Sequence, residues 1–99
     1  MNQELHSFSD FAEISPAMEG VKKRMEEILN KPLIIRAHKT IASKRNIGAM
    51  CLHLQFEMDG QLCILFTGSA VLMDQCEKYA DKMPFRAKIV KIDKYFTFS

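Results

Sequence analysis

Residues 50–67 read MCLHLQFEMDGQLCILFT, which is the pattern of a β-hairpin. Every second residue from Met50 to Met58 is apolar, as in a strand with one buried face and one wet face. Asp59-Gly60 matches a two-residue type I′ turn, so Gln61 to Thr67 is the return strand. The turn sets the register, and the opposite pairs are Met58 with Gln61, Phe56 with Cys63, Leu54 with Leu65, Leu52 with Thr67, Glu57 with Leu62, Gln55 with Ile64, and His53 with Phe66.

The flanking sequence predicts helices and strands on both sides of this hairpin. Ser15 as N-cap, Pro16 in the first turn and an apolar stripe ending at Leu29 predict a helix over 15–30, after a lead-in over 1–14. Ser69 as N-cap predicts a second helix over 68–83. Strands are predicted over 33–43, 85–92 and 95–98. In strand 33–43 one face carries Ile35, Ala37, Lys39 and Ile41, and the other Ile34, Arg36, His38 and Thr40.

The predicted order is α-β-β-β-α-β-β, which indicates an α+β fold. Without the first helix it matches the OB-fold, a five-stranded barrel with a helix between its third and fourth strands. We therefore expect a single OB-like domain over 1–99, with the lead-in at 1–14, the helix at 15–30 and the barrel at 33–99. An α+β sheet with helices on one face has the same order and stays open as an alternative.

Composition narrows the function classes. The chain of 99 residues is 47% hydrophobic and 26% charged, unlike a disordered chain. Its apolar runs are far shorter than the roughly 20 residues of a membrane span, and no secretory signal is visible, so we expect a cytoplasmic protein without membrane contact. Its three cysteines lack a CxxC spacing, and no nucleophile, carboxylate or phosphate-loop motif is recognisable. The sequence thus predicts no enzyme, no metal and no cofactor.

Charge is unevenly distributed along the chain. Residues 31–48 contain five Lys or Arg and no acid, and residues 84–99 contain four against one acid. Brought together, such segments form a polyanion-binding surface; apart, they are ordinary solvated faces. Single-stranded nucleic acid needs cations for phosphates and flat side chains for bases. The candidate binding residues are Arg36, His38, Lys39, Lys44, Arg45, His53, Gln55, Phe66, Arg86, Lys88 and Tyr95.

Three segments carry a resemblance: 66–75 (FTGSAVLMDQ), 83–89 (MPFRAKI) and 94–98 (KYFTF). Together they resemble small phage and mobile-element proteins associated with single-stranded DNA binding in replication and recombination, over residues 33–99. The resemblance implies an OB-like fold, no cofactor and single-stranded DNA as the partner. The chain departs from bacterial single-stranded DNA-binding proteins because it ends without an acidic tail and contains no Trp.

The first functional hypothesis is therefore a single-stranded DNA-binding protein of a phage or mobile-element replication or recombination module. The alternative is a small phage protein-interaction or inhibitor module that acts on a host protein, with Ile64 and Phe66 as the contact. Homodimer formation stays open, with the edges of strands 33–43 and 95–98 as candidates.

Overall fold

The hairpin at 50–67 forms the centre of a five-stranded sheet. The computed structural model describes residues 18–43 and 47–99. The elements, in chain order, are β1 (Val21–Lys23), α1 (Met25–Ile28), β2 (Leu33–Ala42), β3 (Met50–Met58), β4 (Gln61–Thr67), α2 (Ala70–Lys78), a 3-10 turn (Ala80–Lys82), β5 (Phe85–Ala87), β6 (Ile89–Ile92) and β7 (Tyr95–Phe98). The strand order in the main sheet is β1-β4-β3-β2-β5, and β6 and β7 form a separate two-stranded sheet.

The β3–β4 hairpin has the register that the sequence predicts, in all seven pairs. Asp59 and Gly60 both have positive φ, 55° and 76°, as a type I′ turn requires. On the buried face, Leu52, Leu54 and Phe56 are fully shielded from solvent. The alternation of apolar and polar residues therefore predicted correctly which face of the hairpin packs in the core.

One face of the main sheet carries the core. Helix α2 and the β6–β7 hairpin supply Leu72, Cys76 and Ile89 to it, and α1 supplies Ile28. The Ser69 hydroxyl accepts a hydrogen bond from the Leu72 amide at 3.2 Å and caps α2, as predicted. The helix is shorter than the predicted 68–83, because the chain tightens into the 3-10 turn after Tyr79.

The predicted helix over 15–30 is wrong for the residues that the structure describes, 18–30. Gly20 has φ +143°, and a Cβ there would lie 2.8 Å from the carbonyl carbon of Cys63. This close approach lets Val21–Lys23 pair with β4 as a parallel strand. Only one helical turn, α1, remains of the prediction. The lead-in over 1–14 lies outside the described residues.

The OB-like barrel is also wrong. A barrel needs its last strands to close the sheet, but β7 pairs with β6 in a separate sheet and β1 takes the outer edge of β4. The predicted strand over 85–92 is two strands, because the chain changes sheets at Lys88, whose backbone pairs with Ser99 at 2.8 and 3.0 Å. The main sheet is therefore open, mixed and covered on one side.

A β-bulge in β2 changes which residues share a face. The pairing with β3 shifts between Ile35 and Ala37, so one extra residue, Arg36, enters the strand. Before the bulge, Ile35 is opposite Phe56 on the core face; after it, Thr40 is opposite Leu52 on that same face. The predicted grouping of Ile35 with Ala37, Lys39 and Ile41 on one face is therefore wrong.

Candidate nucleic-acid interface

The outer face of the main sheet is the face opposite the core. None of its side chains is fully buried. Its members, by strand, are Lys22 on β1, Ile34, Ala37, Lys39 and Ile41 on β2, Cys51, His53, Gln55 and Glu57 on β3, Leu62, Ile64 and Phe66 on β4, and Arg86 on β5. The face is therefore a mixture of apolar, aromatic and cationic groups.

Three of the sequence-predicted residues lie side by side in one row across the outer face. Phe66 of β4 is opposite His53 of β3, and His53 is opposite Lys39 of β2. The rings of His53 and Phe66 are 4.3 Å apart between centroids, with an angle of 37° between their planes. Phe66 is 40% exposed, so part of its ring is open to solvent. We call Phe66, His53 and Lys39 the aromatic row.

A fourth residue, Lys22, completes this arrangement. Its Nζ atom lies 5.0 Å from the centroid of the Phe66 ring, a cation–π contact. Lys22 is opposite Ile64 in the parallel pairing of β1 with β4, which brings it to the end of the aromatic row. Lys22 was not among the predicted binding residues, because the sequence pattern places it on a helix; only the parallel pairing brings it to Phe66.

The row is positively charged and partly shielded from water. Partial burial lowers the pKa of His53, and the positive charge of Lys39 lowers it further. Both effects favour the neutral imidazole, which suits contact with the neighbouring Phe66 ring. A groove of about 590 Å³ adjoins the row, and Lys22, Arg24, Ile41, Cys51, His53 and Phe66 line part of it.

Gln55 and Arg36 are held by interactions within the protein. The Gln55 side-chain amide donates to the Glu19 carbonyl at 3.0 Å. The Arg36 guanidinium forms an ion pair with Glu57 at 2.7 Å, and both side chains are partly exposed. Arg36 and Glu57 therefore offset each other's charge.

The other sequence-predicted site residues lie elsewhere. The bulge moves His38 to the core face, opposite Leu54. Arg86 and Lys88 line a separate groove of about 670 Å³, together with Glu57 and Asp59. Tyr95 begins β7 in the second sheet and lines a different groove, of about 410 Å³, beside Lys94.

The basic loop residues Lys44 and Arg45 lie outside the described residues. Within residues 18–43 and 47–99, no three His, Cys, Asp or Glu side chains come together as a metal site requires. None of the helices in those residues has the length and apolar character needed to cross a membrane.

Comparison with known proteins adds a family but no activity. No curated protein and no solved structure matches the chain. One family model matches residues 19–99, which include every strand and helix that the structure describes. The chain therefore belongs to the family described as a domain of unknown function, DUF8468.

Proposed function

We propose that the outer face of the sheet binds single-stranded DNA. The observation that carries the proposal is the aromatic row with Lys22 at its end: two rings in tilted contact, partly open to solvent, between two lysines. Proteins that bind single strands combine aromatic rings, on which bases stack, with cations that contact the phosphates. In this proposal Phe66 and His53 stack with a base, and Lys22 and Lys39 contact the phosphates on either side.

The order of these groups across the sheet supports a path for the nucleic-acid strand. Lys22, Phe66, His53 and Lys39 come from β1, β4, β3 and β2, which are neighbours in that order. Adjacent strands lie about 4.8 Å apart, so the four groups span roughly 14 Å. A nucleic-acid strand that crosses the β-strands would meet a cation, two rings and a second cation in turn. The path also leads past the groove at Ile41 and Cys51.

The expected affinity is modest. Stacking contributes about 1–3 kcal/mol per base, and the described face offers a single pair of rings. Each phosphate contact to a single strand adds about 0.7 to the slope of log affinity against log salt. Binding should therefore be clear at low salt and much weaker at moderate salt.

Fluorescence anisotropy of a labelled oligo-dT of about 30 nucleotides, beside a duplex of equal length, tests the proposal. Phe66→Ala removes the exposed ring and is expected to weaken binding by about 5- to 150-fold, the equivalent of 1–3 kcal/mol. Lys22→Met is expected to lower the salt slope by about 0.7. The matched control is Lys91→Met, because the Lys91 Nζ atom lies 5.8 Å from the Phe96 ring on the second sheet.

Two results would count against the proposal. Absence of oligo-dT binding at low salt, with the protein folded, would overturn it and favour a protein partner at Phe66 and Ile64. Equal losses in Lys91→Met and Lys22→Met would move the binding surface away from the aromatic row.

A further inference from the structure

The groove beside the aromatic row lies where the row is followed by small residues. Gly68 comes two residues after Phe66, just past the end of β4, and Cys51 comes two residues before His53 on β3. Both line the groove of about 590 Å³. Because neither carries a large side chain, the space next to the two rings stays open.

The backbone does not require glycine at position 68. The glycines with positive φ in the described chain are Gly20, Gly48 and Gly60, so Gly68 lies outside the left-handed region. A Cβ at Gly68 would meet nothing within 4 Å, whereas a Cβ at Gly20 would meet backbone at 2.8 Å. Other residues would therefore fit the chain at position 68, and what the lack of a side chain does there is keep the groove open.

We infer that this groove holds a second nucleobase of the bound single strand, next to the base on Phe66 and His53. The inference rests on the proposed function, and it makes the recognised unit two adjacent nucleotides. Two residues along a β-strand span about 6.6 Å, roughly twice the 3.4 Å between stacked nucleotides of DNA. The two bases are therefore unstacked from each other, which a base-paired duplex does not permit.

One wall of the groove is apolar, as the face of a base requires. Ile41 is opposite Cys51 on the sheet, and both line the groove together with Met25, the first residue of α1. Ile41 is 37% exposed, so a base in the groove would cover apolar surface that is otherwise open to water. Ligand sites in proteins are lined in the same way, by apolar side chains with a few polar groups beside them.

The rim of the groove carries positive charge that suits a phosphate. The described residues that line it include three cations and a single acid, namely Lys22, Lys23, Arg24 and Glu26. The Arg24 Nε atom lies 3.5 Å from a carboxylate oxygen of Glu26 and 3.5 Å from one of Glu27. Ion pairs between side chains this exposed contribute little to stability, so a phosphate can replace them. Arg24 is then the phosphate contact of the second nucleotide, as Lys22 is of the first.

Filling the groove from Gly68 tests the inference. Fluorescence anisotropy with labelled oligo-dT compares the wild type with Gly68→Leu, whose side chain enters space that is open in the wild type. The variant is expected to bind oligo-dT at least about fivefold more weakly, the lower end of the loss for one base. An abasic oligomer of equal length has the phosphates without the bases, so variant and wild type are expected to bind it equally.

Ala70→Leu is the matched control. Ala70 is exposed and lines the neighbouring groove of about 410 Å³, which Gly68 also borders, but it does not line the groove beside the aromatic row. This variant adds a similar bulk two residues away and is expected to bind oligo-dT as the wild type does. Ile41→Ala changes the apolar wall without any change at Gly68, and it is also expected to weaken binding of oligo-dT and to leave binding of the abasic oligomer unchanged. Circular dichroism confirms that each variant is folded.

The outcomes separate this inference from the proposed function. A folded wild-type protein that does not bind oligo-dT overturns both. Wild-type binding that Phe66→Ala weakens, but that both Gly68→Leu and Ile41→Ala leave unchanged, overturns the inference alone. Equal losses in Gly68→Leu and Ala70→Leu overturn it as well, and so does a loss in Gly68→Leu that is as large for the abasic oligomer as for oligo-dT.

Discussion

Substitution of Gly20 by Ala distinguishes the observed strand from the helix that the sequence predicts, because the change has opposite effects on stability in the two. In the middle of a helix over 15–30, Ala would stabilise the protein by about 1 kcal/mol relative to Gly. In the structure the same change is unfavourable. Gly20 has φ +143°, and the added Cβ would lie 2.8 Å from the Cys63 carbonyl carbon and 3.0 Å from its Cα, both of them backbone atoms that cannot rotate away.

The loss can be estimated from these two causes. Backbone conformations of this kind cost a non-glycine residue about 1–3 kcal/mol. Forcing a methyl group into packed surroundings costs about 1–3 kcal/mol more. The expected destabilisation is therefore about 2–6 kcal/mol, out of the 5–15 kcal/mol typical of a small domain. A loss of 2 kcal/mol lowers Tm by roughly 8–16 °C in a domain of this size.

Urea unfolding followed by circular dichroism measures the effect, with Gly60→Ala as the matched control. Gly60 also has a positive φ, +76°, but an added Cβ there would meet nothing within 4 Å. The control reports the conformational cost alone, about 1–2 kcal/mol. Gly20→Ala must lose at least 1 kcal/mol more than Gly60→Ala. Stabilisation by Gly20→Ala, or equal losses in the two variants, would refute the contact between β1 and β4.

Three further predictions concern the cap, a histidine and the thiols. Ser69→Ala should lower the free energy of unfolding by about 1 kcal/mol, because it removes the N-cap of α2. Ser69→Asp should retain most of the stability, since Asp is also a good N-cap. Because the pKa of His53 is lower in the folded chain than the ordinary 6.5, its contribution to stability is fully present above pH 6.5 and is lost as pH falls through the folded-state pKa. Urea midpoints between pH 7 and pH 5 should therefore fall more in the wild type than in His53→Gln. Burial raises the pKa of Cys76 to about 11. A thiol reagent at pH 8 should thus modify half-buried Cys51 in the folded protein and reach Cys76 only with urea; equal rates would contradict its burial.

The sequence predicted local structure best where turn residues occur next to a strict alternation of apolar and polar residues. Asp59-Gly60 allows only a tight hairpin, and the alternation from Met50 to Met58 decides its buried face. The same hairpin places His53 opposite Phe66, so the centre of the aromatic row was predictable from residues alone. Ser69 likewise marked the start of α2.

The errors come from long-range pairing. Nothing local shows that Gly20 lies against Cys63, and the apolar spacing around it favours a helix. The bulge at Arg36 adds one residue to β2 and so moves every later residue of the strand to the opposite face. An alternating pattern of apolar and polar residues does not reveal such an insertion. For this reason His38 lies on the core face and Lys39 beside His53.

The barrel prediction failed for a related reason. The order of helices and strands is compatible with several strand arrangements, and closure depends on where the last strands pair. Residues 85–92 alternate evenly enough to be taken as one strand, but the chain leaves the main sheet at Lys88. Arg86 and Tyr95, both predicted to bind nucleic acid, therefore lie in different sheets.

The most direct test of binding at the outer face is an ¹H–¹⁵N correlation spectrum of the labelled protein, titrated with an unlabelled oligo-dT. We expect the largest changes at the amides of Lys22, Lys39, His53 and Phe66, and little change in β6 and β7. Largest changes in β6 and β7, or an unchanged spectrum at low salt with excess oligonucleotide, would contradict it.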